Sequence, residues 1–127
     1  MEGEPLGIVL HGYDGEDAKL IKEGIEDLME KPVILISASG NGNSVIGELL
    51  ERQPEGPWKQ DEMKFLMFLG FDEKGFSTVM DRFPKKEGLK RPIFCTLTQN
   101  NVRWTVKQLI EDLKEEEAYW RKNRARG

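Results

Sequence analysis

The chain has 127 residues, of which 33% are charged and 38% hydrophobic, a size that suits one compact domain. Its formal net charge of −4 and pI near 5.2 make nucleic acid an unlikely partner. The single cysteine, Cys95, excludes an intrachain disulfide framework and a cysteine-based metal site.

The opening "MEGEPLGIVLHGYDGED" has no basic flank, and its apolar run is too short for a signal peptide or membrane span. A cytoplasmic protein with no membrane partner is expected. "LGIVL" (Leu6 to Leu10) reads as a buried strand, and Asp14 offers the N-cap of a helix with Glu16 and Asp17 in its first turn. Leu20, Ile21, Ile25 and Leu28 follow at helical spacing, with Gly24 on the same face, where it would let the helix approach a sheet. "KPVILISAS" reads as a second strand, "GNGNS" as a turn, "SVIGELLER" as a second helix and "QPEGPWKQDE" as a linker.

The pattern then starts again. "KFLMFLGFDEKGFSTVMDRF" reads as strand, Gly-aromatic-Asp turn and helix, stopped by Pro84. "KRPIFCTL" is a strand and "NNVRWTVKQLIEDLKEEE" a helix. "LHGYD" aligns with "FLGFD" at an offset of 58, from Gly12 to Gly70, and "KPVILIS" aligns with "RPIFCTL" at an offset of 60, from Pro32 to Pro92. At that second offset Asn41 meets Asn101, Ile46 meets Val106, Leu49 meets Leu109 and Glu51 meets Glu111. The expectation is an α/β fold made by tandem duplication of a β-α-β-α unit. It forms a single domain of two repeats, at about 6–55 and 64–119, joined by a linker at about 52–62. Four strands form one sheet with helices packed on it in a pseudo-twofold arrangement, each half a right-handed parallel crossover. Whether the halves meet antiparallel or continue one parallel sheet stays open.

"TQNNVRWTVKQLIEDLKEEEAY" (Thr98 to Tyr119) resembles a short prokaryotic domain known as domain of unknown function 3783. In that family a strand ending in Thr-x-x-Asn-x-x-Trp precedes a helix rich in Leu and Glu. The matching residues are Thr98, Asn101 and Trp104, then Leu109, Glu111 and Leu113, and "FLGFD" resembles the family's opening strand and turn. The resemblance covers about Lys64 to Tyr119. The first half keeps Asn41 but has Ala38 in place of the Thr and Ser44 in place of the Trp. The family implies a fold boundary and brings no activity, cofactor or partner with it.

Candidate binding residues lie where ligands of open α/β sheets sit, beyond the carboxyl ends of the strands. They are His11, Gly40, Asn41 and Asn43 in the first half, and Thr98, Asn100, Asn101 and Trp104 in the second. "SGNGNS" is Gly-rich enough to cradle an anion but lacks the Lys of a P-loop; its plainer reading is a capped turn with Asn41 or Asn43 as N-cap. Asp14 and Asp72 read as N-caps, and His11 as a structural histidine. Cys95 is mid-strand and inert, and no Ser-His-Asp set or metal-ligand spacing is present, so no catalytic residue, metal or cofactor is assigned. Asn101 reads as the N-cap of the last helix. Trp104, placed in that helix, would point about 200° from Val102 and away from the core stripe, over a loop or toward the other half or a partner. The basic tail "RKNRARG" reads as a solvated terminus, with RNA contact the sharper alternative. The preferred function is a non-catalytic binding or protein-interaction module. The alternative is an enzyme or sensor holding a small anionic ligand at the strand ends.

Overall fold

The computed structural model describes residues 5–126, the last four of them as backbone alone. Its elements are β1 (Leu6–His11), α1 (Gly15–Met29), β2 (Val33–Ser37), α2 (Ile46–Arg52), β3 (Phe65–Leu69), α3 (Glu73–Asp81), β4 (Ile93–Thr96) and α4 (Val106–Arg126), with a 3-10 turn at Asn101–Arg103. The four strands form one mixed sheet in the order β2-β1-β3-β4. β1 and β2 run parallel, β3 and β4 run parallel, and the central pair β1–β3 is antiparallel. The question the sequence left open is thereby answered: the halves meet antiparallel.

Apolar alternation along the strands explains the three layers. Leu6, Ile8 and Leu10 of β1 and Leu66 and Phe68 of β3 pack with Ile21 and Ile25 of α1 and Val79 of α3 on one face. Val9, Phe65 and Met67 face the other way and pack with Ile46 and Leu49 of α2 and Val106, Leu109 and Leu113 of α4. The central strands are covered on both faces, which is why they read as continuous apolar runs instead of alternating ones.

The strand pairing obeys the offset seen in the sequence. Val9 of β1 lies opposite Met67 of β3, the residue 58 further on. Exchanging β1 with β3 and β2 with β4 leaves the strand order and directions unchanged. A second contact lies between residues 60 apart, an isolated antiparallel bridge of Val45 with Thr105. There Ile46 N–H donates to the Trp104 carbonyl at 2.8 Å, and Val106 N–H donates to the Ser44 carbonyl at 2.9 Å. The turns behave alike as well. Asp14 Oδ1 accepts from Asp17 N–H and Asp72 Oδ1 from Gly75 N–H, so both aspartates are N-caps. Gly12 and Gly70, which lead into them, both have left-handed φ, 93° and 80°.

Gly24 serves a different contact from the one expected. A Cβ there would lie 2.5 Å from Pro84 Cγ, so this glycine lets α1 approach the segment after α3, not the sheet. Helix propensity favours Ala over Gly by about 1 kcal/mol. The proline ring cannot swing aside as a flexible side chain would. Gly24→Ala should therefore destabilise the fold, by about 1–3 kcal/mol in a urea titration, the usual cost of overpacking.

Candidate functional site

Because the central strands are antiparallel, β1 and β2 end at one side of the sheet and β3 and β4 at the opposite side. The candidate residues are split accordingly. His11, Gly40, Asn41 and Asn43 follow the first pair of strands, while Thr98, Asn100, Asn101 and Trp104 follow the second. His11 Nδ1 lies 3.0 Å from the Met63 carbonyl, and the ring stacks on Phe65 at 5.5 Å. Its Nε2 lies 3.9 Å from Asp61 Oδ2, an ion-pair distance and not a hydrogen bond. Gly40 packs against Pro57. Asn41 Nδ2 donates to the carbonyls of Ser39, at 3.0 Å, and Ser37, at 3.3 Å. Asn43 is exposed. The N-cap expected of Asn41 or Asn43 is a correction: α2 begins later, after Val45, with no side-chain cap bond.

The second half also corrects the reading of its loop. Asn101 does not cap α4. It is buried, opens the 3-10 turn, and uses its amide on the preceding strand: Nδ2 donates to the Thr96 carbonyl at 3.0 Å, and Oδ1 accepts from Thr98 N–H at 2.8 Å. Its own N–H donates to Thr98 Oγ1 at 2.9 Å. The cap of α4 is Thr105. Its Oγ1 accepts from Gln108 N–H at 3.1 Å, and Gln108 Oε1 accepts from Thr105 N–H at 2.8 Å, a reciprocal capping box. Trp104 therefore precedes the helix instead of riding its first turn. It has an extended backbone, φ −81° and ψ 156°, and its half-buried ring packs on the core under α4. The 200° rotation expected from a helical position does not apply.

The first four N–H groups of α4 all have protein partners. Val106 donates to Ser44, Lys107 to Gly42, and Gln108 and Leu109 to Thr105. The first N–H of α2 donates to Trp104. The Gly- and Asn-rich loops that could cradle an anion thus spend these donors on each other.

What the second half does present is a groove. Thr98, Asn100, Asn101 and Trp104 share its walls with Phe94, Cys95 and Thr96 of β4 and Leu113, Glu116 and Trp120 of α4, around about 500 Å³. His11, Gly40, Asn41 and Asn43 take no part in it. β4 is an edge strand. Ile93 N–H donates inward to the Lys64 carbonyl at 2.8 Å, so the alternate residues Phe94 and Thr96 turn their backbone groups to the open side. The other edge, β2, is covered at its two ends, with the outward backbone of Leu35 left open between them. Its outward Val33 N–H is taken by Glu26 Oε2 at 2.9 Å, and its outward Ser37 N–H by the Pro54 carbonyl at 2.8 Å. That bond from Val33, before the neighbouring Lys22, holds the Glu26 carboxyl below its usual range. The segment read as a linker is in this respect a cover for the β2 edge, its Trp58 packed on the core of that face.

α4 outlasts the sheet. Its 21 residues span about 31 Å, against about 13 Å for the 4 residues of β4. Leu113 is its last buried residue among those described, and residues 114–122 are all exposed, with Tyr119 at 60% and Trp120 at 53%. Asp112, Glu116 and Glu117 make the helical wall of the groove acidic. Burial, and then Glu116, push the Cys95 thiol up to about 12, so it lines the groove as an apolar group and not as a thiolate.

The fold and groove define a three-layer α/β protein with one partly covered and one open sheet edge. Residues 64–120 match the family model described as Domain of unknown function (DUF3783), and this stretch includes every residue lining the groove. No curated protein and no solved structure matches the chain. No helix among the described residues is long and apolar enough to cross a membrane. Of the basic tail, read as a solvated terminus with RNA contact as the alternative, only Arg121 and Lys122 have described side chains, so both readings fall largely outside the described residues.

The roles found for Asn101 and Thr105 rank their substitutions. Asn101→Ala removes two side-chain hydrogen bonds from a buried amide and should cost about 2 kcal/mol. Thr105→Ala should cost about 1 kcal/mol, as for a lost N-cap, and the exposed Asn43→Ala close to nothing. Urea midpoints of the three variants, compared at constant m-value, check the order.

Proposed function

We propose that this protein is a non-catalytic protein-interaction module whose binding element is the open β4 edge together with the groove under α4. One observation carries the reading: the outward N–H groups at both ends of β2 are taken by Glu26 and Pro54, whereas those of Phe94 and Thr96 on β4 are left open. An edge strand offering unpaired N–H and C=O groups is a template for another strand, and proteins that do not use one normally cover or charge it. Here the outward groups of Phe94 and the N–H of Thr96 lie beside half-buried Trp104 and exposed Trp120, aromatic residues of the kind enriched at binding surfaces. The acidic wall favours a strand with Lys or Arg among its apolar residues. Asn101 ends the available edge by occupying the Thr96 carbonyl and Thr98 N–H itself. We also read the chain as a duplicated β-α-β-α unit in which the second copy lengthened its final helix. The symmetric pairing of Val9 with Met67 and of Val45 with Thr105 supports that history. An enzymatic reading has less support: His11 is tied to a backbone carbonyl, and Asp14 and Asp72 are helix caps.

A random decapeptide library panned against the dilute protein tests the interaction reading. Selected sequences should alternate apolar with polar residues and include Lys or Arg, and synthetic versions should bind. Thr96→Pro deletes an N–H that faces away from the sheet, so it should leave the melting temperature nearly unchanged and abolish that binding. No enrichment, or peptides that bind Thr96→Pro as well as the unaltered chain, would refute the proposal.

A further inference from the structure

We infer that the strand taken up by this edge carries two basic side chains two residues apart, Lys or Arg at positions i and i+2, with a residue that is not basic between them. The inference rests on the interaction reading above and names the chemistry of its partner.

The charges of the groove supply the first reason. Asp112 and Glu116 both line it and stand one turn apart on α4, about 6 Å along the helix axis. Among the described residues neither enters an ion pair, whereas Glu117 is held by Arg121 at 2.8 Å. Lys114 does not line the groove; it borders a separate depression with Lys64 and Lys90. Two like charges one turn apart weaken a helix, and a pair of cations on a ligand reverses that cost.

The geometry of a strand supplies the spacing. Alternate side chains of an extended chain lie about 7 Å apart on one face, close to the separation of the two carboxylates. α4 follows β4 and runs back over it: Glu116 is near enough to Cys95 to act on its thiol, and Asp112 lies a turn closer to the carboxyl end of the strand. Cys95 belongs to the sheet face under α4. The residue of an added strand opposite Cys95, and its alternate neighbour toward the end of β4, therefore turn their side chains to Glu116 and Asp112. Half-buried Trp104 gives a cation in the groove an aromatic face as well.

The opposite face of the sheet supplies the residue between. Phe94 packs with the core under α1 and α3, and the exposed Arg91 guanidinium lies over its ring at 4.9 Å. Strand residues opposite Phe94 and Thr96 turn to this side, where a basic residue meets Arg91 instead of a carboxylate. Basic residues one or three positions apart put one of the two on each face. A spacing of four keeps them on one face but sets them about 14 Å apart, too far for carboxylates one helical turn apart.

Two labelled octapeptides of one composition, Thr, Val and two Lys, test this by fluorescence polarisation at low salt. One has its lysines two apart and the other three apart, so net charge and strand propensity are matched. The first should bind about tenfold more tightly, the effect of two groove-side ion pairs. Asp112→Asn combined with Glu116→Gln, both at exposed positions, should abolish the difference. Asp112→Lys with Glu116→Lys should instead favour the two-apart peptide with Glu in place of Lys. Equal binding of the two lysine peptides, or a preference that persists in the Asn and Gln chain, overturns the inference; if that binding is still lost in Thr96→Pro, the edge reading stands and only the charge rule is wrong. Peptides that emerge from panning with no pair of basic residues two apart overturn it in the same way. Failure of both lysine peptides together with no enrichment in the library overturns both readings.

Discussion

The backbone bridge between Val45 and Thr105 holds the architecture together where the two halves cross. Two hydrogen bonds, Ile46 to Trp104 and Val106 to Ser44, tie the first turn of α2 to the first turn of α4. They cap two helix ends that would otherwise have unpaired N–H groups over an apolar sheet face, where an unmet donor costs free energy on the order of 1–3 kcal/mol. They also fix which residues can meet a ligand. Donors committed across the seam are not available to an anion, and strands ending at opposite sides of the sheet cannot gather their polar loops into one crevice. The constraint that makes the fold compact removes the usual binding position of an open α/β sheet and leaves the edges as the places to bind.

The two edges are where the symmetry fails. After α2 the chain turns back, and residues 53–58 cover the carboxyl end of β2, Pro54 accepting from Ser37 N–H and Pro57 from Ser37 Oγ. Past the matching residues of α4 the helix continues for about four more turns, and among the described residues no segment returns to cover β4. A closed edge is the ordinary defence of a sheet protein against unwanted pairing. One half uses it. The other exposes its strand beside two tryptophans and an acidic helix wall, and it ends the exposed stretch with the Asn101 amide, which acts as a one-residue substitute for a neighbouring strand.

Much of the fold was legible in the sequence because its signals are local. Apolar runs marked all four strands, the Gly-aromatic-Asp turns marked the starts of α1 and α3, and the offsets of 58 and 60 reappear as paired residues on the symmetry axis. The candidate site was half legible. Thr98, Asn100, Asn101 and Trp104 line the groove, but for reasons the sequence hid. The helix was started too early, at Asn101, although Thr105-x-x-Gln108 carries the spacing of a capping box and marks the true start. That error moved Trp104 onto a helical wheel it does not occupy. His11 and the Gly-Asn loop were grouped with the second-half residues by a rule for parallel sheets, and the antiparallel central pair separates them. The contribution of β4's edge and of Trp120 was invisible because edge position is a property of the whole sheet order, which no local pattern states.

The central claim is that the sheet has one edge covered at both ends and one available edge, and amide hydrogen exchange reads it directly. Val33, Leu35 and Ser37 on β2, and Phe94 and Thr96 on β4, occupy the outward positions of the two edges, and of these Val33 and Ser37 have their N–H groups taken within the chain. The account predicts that Val33 and Ser37 are protected at every protein concentration. Phe94 and Thr96 should exchange fast in the dilute protein and slow when a strand-forming peptide is added. Equal protection at both edges in dilute protein, or four amides that respond together, would contradict it.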